Sequence, residues 1–125
     1  MKYTVFLLFL IFSLGSSGKE IKLPKTVYAP AFRDPGEIDV KVGPLLVDET
    51  AVTNKEFLAF VKTNPHFKKS KIPSLYADSG YLSHWSSDIT FAKAEAEFPV
   101  THISWFAARK YCASSGKRLP TIAEW

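Results

Sequence analysis

A chain of 125 residues with 46% hydrophobic and 14% aromatic content holds material for one small domain with a real core, which excludes a low-complexity or disordered polymer. The formal charge of +4 is not gathered into a stripe. Its densest group, Lys62, His66, Lys68, Lys69 and Lys71, has no docking motif around it and reads as a solvated loop, so nucleic acid is not an expected partner.

The first element is a leader. Lys2 precedes an apolar run over residues 3–14, which ends in Gly15, Ser16, Ser17 and Gly18. Charged, apolar and small-residue regions in that order predict a signal peptide over residues 1–18, cut after Gly18. The run is shorter than the roughly 20 residues of a comfortable bilayer span, so no stable membrane span is expected after cleavage. A retained anchor is the alternative. The expected location is exported, periplasmic or secreted, a compartment that permits disulfides. Cys112 is nevertheless the only cysteine. It reads as a small buried hydrophobe or as half of a pair.

Residues 19–36 carry three prolines and read as a flexible lead-in, with a short edge strand at Thr26–Tyr28. Ile38, Val40 and Val42 then alternate with Asp39 and Lys41, the pattern of a half-buried strand. Gly43-Pro44 breaks it, and "LLVDE" reads as a second, more buried extended piece. "TNKEFLAFVKTNP" is the clearest helix: Thr53 caps it, Glu56 completes a capping box, and Phe57, Phe60 and Val61 share one face. Asn64-Pro65 ends it, because a residue before proline leaves the α region.

Residues 66–98 lose regular pattern but keep Leu75, Tyr76, Tyr81, Leu82, Trp85 and Phe91, so they read as an irregular loop pinned to a core by its rings. "PVTHIS" predicts a short strand, and Ser104 caps a helix from Trp105 to about Ser115 with Gly116 as its terminator. Trp105, Ala108 and Cys112 are expected on its buried face. Thr121 and Glu124 form one more capping box, for a helix that has only begun at Trp125. With that helix missing, Trp105, Phe106, Tyr111, Phe57 and Phe60 are expected to lose cover and pack loosely.

Three stretches together carry a resemblance: "VDETAVTNKEFLAFV" (residues 47–61), "FPVTHISWFAARKYC" (98–112) and "GKRLPTIAEW" (116–125), with "SGYLSHW" (79–85) between them. In that order they resemble the sulfatase-modifying factor family, that of the formylglycine-generating enzyme. The resemblance covers roughly residues 40–125 and implies domains of 1–18 (signal peptide), 19–36 (lead-in) and 37–125 (N-terminal part of the family domain). The implied fold class is α+β, irregular and loop-rich, like a C-type lectin and incomplete in this chain. The implied activity is oxygen-dependent oxidation of a sulfatase cysteine to formylglycine, with copper held by two cysteines and a structural calcium. The resemblance places those ligands downstream of residue 125, so this chain is expected to be a catalytically silent fragment. Implied partners are a sulfatase segment or, for a non-catalytic relative of the gliding or secretion-complex type, cell-envelope proteins. In some relatives the cysteine at the Cys112 position pairs with a downstream cysteine.

No residue here is assigned a catalytic, cofactor-binding or metal-binding role. His84 and His102 lack a metal-ligand spacing, and His102 reads as a hydrogen-bonded structural residue. His66 reads as solvated. Asp48 and Glu49 read as charge complements or hydrogen-bond partners rather than an acid–base pair. Arg118 and Glu124 are expected to form a buried ion pair that fixes a chain crossing.

Overall fold

A computed structural model describes residues 18–32, 35–36 and 38–125. The signal peptide expected over residues 1–18 lies, but for Gly18, outside the described residues. The fold is α+β: strands β1 (Glu20–Leu23), β2 (Thr26–Tyr28), β3 (Val40–Val42) and β4 (Leu45–Asp48), then helices α1 (Asn54–Thr63) and α2 (Trp105–Ser114). Short 3-10 turns at Pro65–Phe67 and Lys93–Glu95 punctuate the long connection between the helices. No helix of the described residues is long and apolar enough to cross a membrane.

The strands form two antiparallel ribbons, β1 with β4 and β2 with β3. This corrects the reading of residues 19–36 as a flexible lead-in. The edge strand at Thr26–Tyr28 is present, and Glu20–Leu23 is a further strand, with Glu20 opposite Asp48 and Leu23 opposite Leu45. Every residue of β1 is exposed, so backbone pairing rather than burial holds it and no apolar signal marks it. β3 keeps the expected alternation at Val40 and Val42 but starts after Ile38, which is 81% exposed. β4 is less buried than expected, with Leu46 and Val47 exposed.

The core lies on the helical side. Phe57, Phe60 and Val61 of α1 meet Tyr81, Leu82 and Trp85 of the long connection and Ala107 and Tyr111 of α2. The rings meet edge-on or tilted: Phe57 to Trp85 at 6.3 Å and 77°, Phe60 to Tyr111 at 5.5 Å and 73°. Those are the geometries that aromatic quadrupoles favour. Phe67 and Phe91 extend the stack from the loop side, at 5.4 Å from Phe60 and 5.1 Å from Trp85. The expectation of an irregular loop pinned by its rings therefore holds. The expected loss of cover is seen at Trp105 and Phe106, which are 57% and 43% exposed, but not at Phe57, Phe60 and Tyr111, which are buried.

The buried face of α2 differs from the expected one. Ala107 and Tyr111, four residues apart, are the buried pair; Ala108 and Cys112 sit at its margin. Trp105 is 57% exposed, and the Arg109 guanidinium lies 5.2 Å above its ring. The predicted strand at residues 99–104 is reduced to a bridge between Pro99 and Thr53 and a bond from the Val100 amide to the Val52 carbonyl at 2.9 Å. His102, with φ of 53°, turns the chain out of any extended run.

Both helices end as their sequences dictate. At α1 the Thr53 amide donates to Glu56 Oε2 at 2.8 Å, and the Glu56 amide donates to Thr53 Oγ1 at 3.2 Å. At α2 the Ser104 hydroxyl accepts from the Ala107 amide at 3.2 Å. Its far end closes by two bonds, Lys117 amide to Cys112 carbonyl at 2.8 Å and Gly116 amide to Ala113 carbonyl at 3.1 Å. That closure needs a left-handed residue, and Gly116 supplies φ of 69°. Replacing the α1 cap by Thr53→Ala removes the hydroxyl that accepts from the Glu56 amide and donates to the Glu56 carboxylate, leaves the backbone amide at position 53 free to donate to Glu56, and is expected to cost about 1 kcal/mol, with Thr53→Ser nearly neutral. Urea unfolding of the two variants measures it; an unchanged midpoint in Thr53→Ala contradicts the role of the cap.

Candidate functional site

Asn54 is the one polar residue in the buried set, and it lies on the same helical face as Phe57 and Val61. Its amide nitrogen donates to the carbonyls of Glu95 at 2.9 Å and Phe98 at 3.3 Å. Its amide oxygen accepts the Trp85 indole N–H at 2.9 Å and lies 3.1 Å from His84 Nε2. The Asn54 and Lys55 backbone amides donate to the carbonyls of Phe98 at 2.9 Å and Ala96 at 3.0 Å. One side chain at the start of a helix thus ties the middle and the C-terminal end of an irregular segment to the core, and the carbonyls of Phe98 and Ala96 satisfy two helix amides that have no partner within the helix. The sequence reading did not single out Asn54. The signal was available: a polar residue three and seven positions before Phe57 and Val61, on an otherwise apolar stripe.

Around this knot the backbone is strained. Leu82 and His102 both have left-handed φ, 47° and 53°, and the Leu82 amide donates to the His102 carbonyl at 2.7 Å. The ring of His102 stands 5.8 Å from that of His84. His102 is exposed and its Nδ1 lies 3.1 Å from the Thr101 hydroxyl, so its side chain bonds locally as expected. Lys69 corrects the solvated-loop reading in part. Its ammonium donates to the Trp85 carbonyl at 2.7 Å, while His66 is exposed. Tyr81 donates its hydroxyl to the Phe67 carbonyl at 2.9 Å, and burial raises its pKa far above the ordinary value.

A second group joins the β1–β4 ribbon to the end of α2. Lys117 pairs with Asp48 and, at 3.0 Å, with Glu20, and these bonds raise its pKa. Asp48 is therefore a partner in a charge cluster, and Glu49 meets Lys19 at 3.5 Å. Cys112 packs half-buried against the core. Burial first, and then the Asp48 charge, push its thiol pKa up, against a smaller opposing effect of Lys117. A thiol held protonated is a core residue rather than an activated nucleophile.

The Arg118–Glu124 pair is present and bidentate, at 2.6 and 2.7 Å, but it is a surface pair: the Arg118 side chain is 62% exposed. The Glu124 carboxylate also accepts the Thr121 amide at 2.8 Å, half of the expected capping box. Tyr28 donates its hydroxyl to the Ala123 carbonyl at 3.2 Å, which brings the last turn against β2. Between them is an open cleft of about 420 Å³ lined by Leu23, Tyr28, Val42, Leu45, Ala123 and Trp125.

The family model for the sulfatase-modifying factor enzyme 1-like domain matches residues 13–125. The chain belongs to that family. It is 36% identical over 115 residues to the formylglycine-generating enzyme of Streptomyces coelicolor, covering 69% of this chain and 36% of that protein. Bovine formylglycine-generating enzyme is 30% identical, covering 92% of this chain and 36% of its own length. The bovine protein named inactive Cα-formylglycine-generating enzyme 2 is 31% identical, with 70% and 38% covered. The chain thus spans little more than a third of the length of these relatives.

The family implies copper held by two thiolates, which suit the soft monovalent ion. One cysteine, with its thiol pKa raised, does not fit that requirement. Among the described residues no three His, Cys, Asp or Glu side chains are grouped.

Glu124 gives this region a pH signature. The Arg118 guanidinium, and after it the Thr121 amide, hold its carboxyl down at about 2. With the folded value below the unfolded one, the contribution is complete above about 4.3, the ordinary glutamate value, and is lost as pH falls toward the folded value. Carboxyl titration by NMR is expected to place Glu124 well below the other glutamates, and Arg118→Ala to return it toward the ordinary range. A Glu124 that titrates normally in the unaltered protein contradicts the pairing.

Proposed function

We propose that residues 37–125 form the N-terminal scaffold of a formylglycine-generating-enzyme-like domain with a C-type-lectin-like fold. The activity of the whole domain is then oxygen-dependent oxidation of a cysteine in a sulfatase segment. What supports this reading is the family match over residues 13–125 together with relatives named formylglycine-generating enzyme at 30–36% identity. In it, the Asn54 knot and the aromatic core set the course of the 66–98 segment, and the Lys117 cluster sets the β1–β4 ribbon against the end of α2. Cys112 is structural. No step through copper is assigned to these residues, because their single thiol does not fit it.

A second reading is a non-catalytic module that acts by binding in the cell envelope. Its support is specific: similarity to a relative named inactive, at 31%, is close to the similarity to the named enzymes. Both readings include export, on the order of charged, apolar and small residues in positions 1–18.

One preparation tests these points together. The chain is expressed with its leader, the exported product is sequenced from its N-terminus, and it is incubated with a Cys-x-Pro-x-Arg peptide, with and without Cu(I). The expected result is a start near Lys19 and no peptide aldehyde by mass spectrometry. Aldehyde above the no-protein control, undiminished by Cys112→Ser, contradicts the scaffold assignment. An intact Met1 in the cytoplasm contradicts export.

A further inference from the structure

The bonding at Asn54 fixes the protonation of His84. Asn54 donates from its amide nitrogen to two carbonyls, which can only accept, so its oxygen is the atom that faces Trp85 and His84. An indole N–H can only donate, in agreement with that orientation. His84 Nε2 must then carry a proton to bond the same oxygen. In the neutral ring this leaves Nδ1 as a bare lone pair, and Nδ1 is buried without a partner. Charging the ring puts a second N–H at that atom, where nothing accepts it.

We propose that His84 is an acid-sensitive latch: neutral, it ties the 82–85 turn to Asn54, and protonation at Nδ1 releases that turn and the Trp85 ring from the core. The surroundings favour release over accommodation. Facing His84 are His102 at 5.8 Å between rings, the Lys69 ammonium bound to the Trp85 carbonyl, and, opposing them, the single carboxylate of Glu95. Burial first, and then His102, lower the pKa of His84; Glu95 raises it, and Lys69 lowers it. The strained Leu82 and His102, joined by their 2.7 Å bond, flank the same turn, so loss of the His84 tie also relieves backbone held in left-handed φ.

With the folded value below the unfolded one, His84 costs nothing above about 6.5, and the folded state weakens as pH falls below that until the folded value is passed. The ceiling of the effect between pH 7 and pH 5 is roughly a 25-fold fall in the folding equilibrium constant for one such histidine. The test uses the isotope-labelled protein. Imidazole NMR is expected to show the Nε2–H tautomer at pH 7.5 and a His84 titration below 6.5. Glu95→Gln is expected to move that titration lower still, because it removes the carboxylate that favours the charged ring. Urea unfolding at pH 7 and pH 5 is expected to lose its acid slope in His84→Gln, whose amide N–H can still reach Asn54. A His84 that titrates at or above 6.5, an Nδ1–H tautomer, or an unchanged acid slope in His84→Gln overturns the latch. If His84→Gln does not fold, the tautomer and titration of the unaltered protein decide.

Discussion

The structure depends on one buried amide. An asparagine placed in an apolar core is costly unless every polar atom is met, and Asn54 meets both of its ends. The bonds it makes are what allow residues 66–98, with almost no regular structure, to hold one path. Without them the Trp85 indole N–H would be left unpaired in an apolar interior. The aromatic stack then closes over the knot. Trp85 is 1% exposed and Phe57 is fully buried, so the hydrogen bonds sit where water cannot compete for them.

The described residues divide into a dense half and a thin half. The helices and their connection make a core of eight buried apolar residues. The ribbons are exposed along most of their length and are held by backbone pairing, the β1–β4 ribbon also by the Lys117 cluster with Glu20 and Asp48. Two-stranded ribbons are marginal by themselves, so the ionic tie to the end of α2 carries more weight than a surface pair usually does. For a family domain this is the division expected of a scaffold: rigidity around an irregular segment, with apolar surface left at Leu23, Leu45 and Trp125.

Where local chemistry determined the structure, the sequence was a good guide. The Thr53–Glu56 box, the Asn64-Pro65 stop, the Ser104 cap and the Gly116 closure all lie where spacing put them. The family could be read from residues 47–61, 98–112 and 116–125. What could not be read was set by distant contacts. β1 pairs with a strand distant in sequence, Ile21 opposite Val47 and Lys22 opposite Leu46, without burying a side chain, so its four residues gave no pattern to find. Ala107 and Tyr111 are buried in place of Trp105 because the core approaches α2 from one side only, which a wheel of similar apolar residues does not reveal. His102 left the extended region because its carbonyl is needed by Leu82. Arg118 and Glu124 were correctly paired, but their exposure depends on what surrounds the turn.

The central claim is that the Asn54 knot belongs to the cooperative core. The three tryptophan indoles report on it within one molecule. Trp85 is buried and bonded to Asn54, whereas Trp105 and Trp125 are 57% and 98% exposed. Hydrogen exchange of the indole N–H groups, followed beside the amides of Phe57, Phe60 and Val61, is the direct measurement. The account predicts that the Trp85 indole exchanges as slowly as those helix amides, in a single opening event, while Trp105 and Trp125 exchange at once. A Trp85 indole that exchanges as fast as the other two, with the helix still protected, would contradict it.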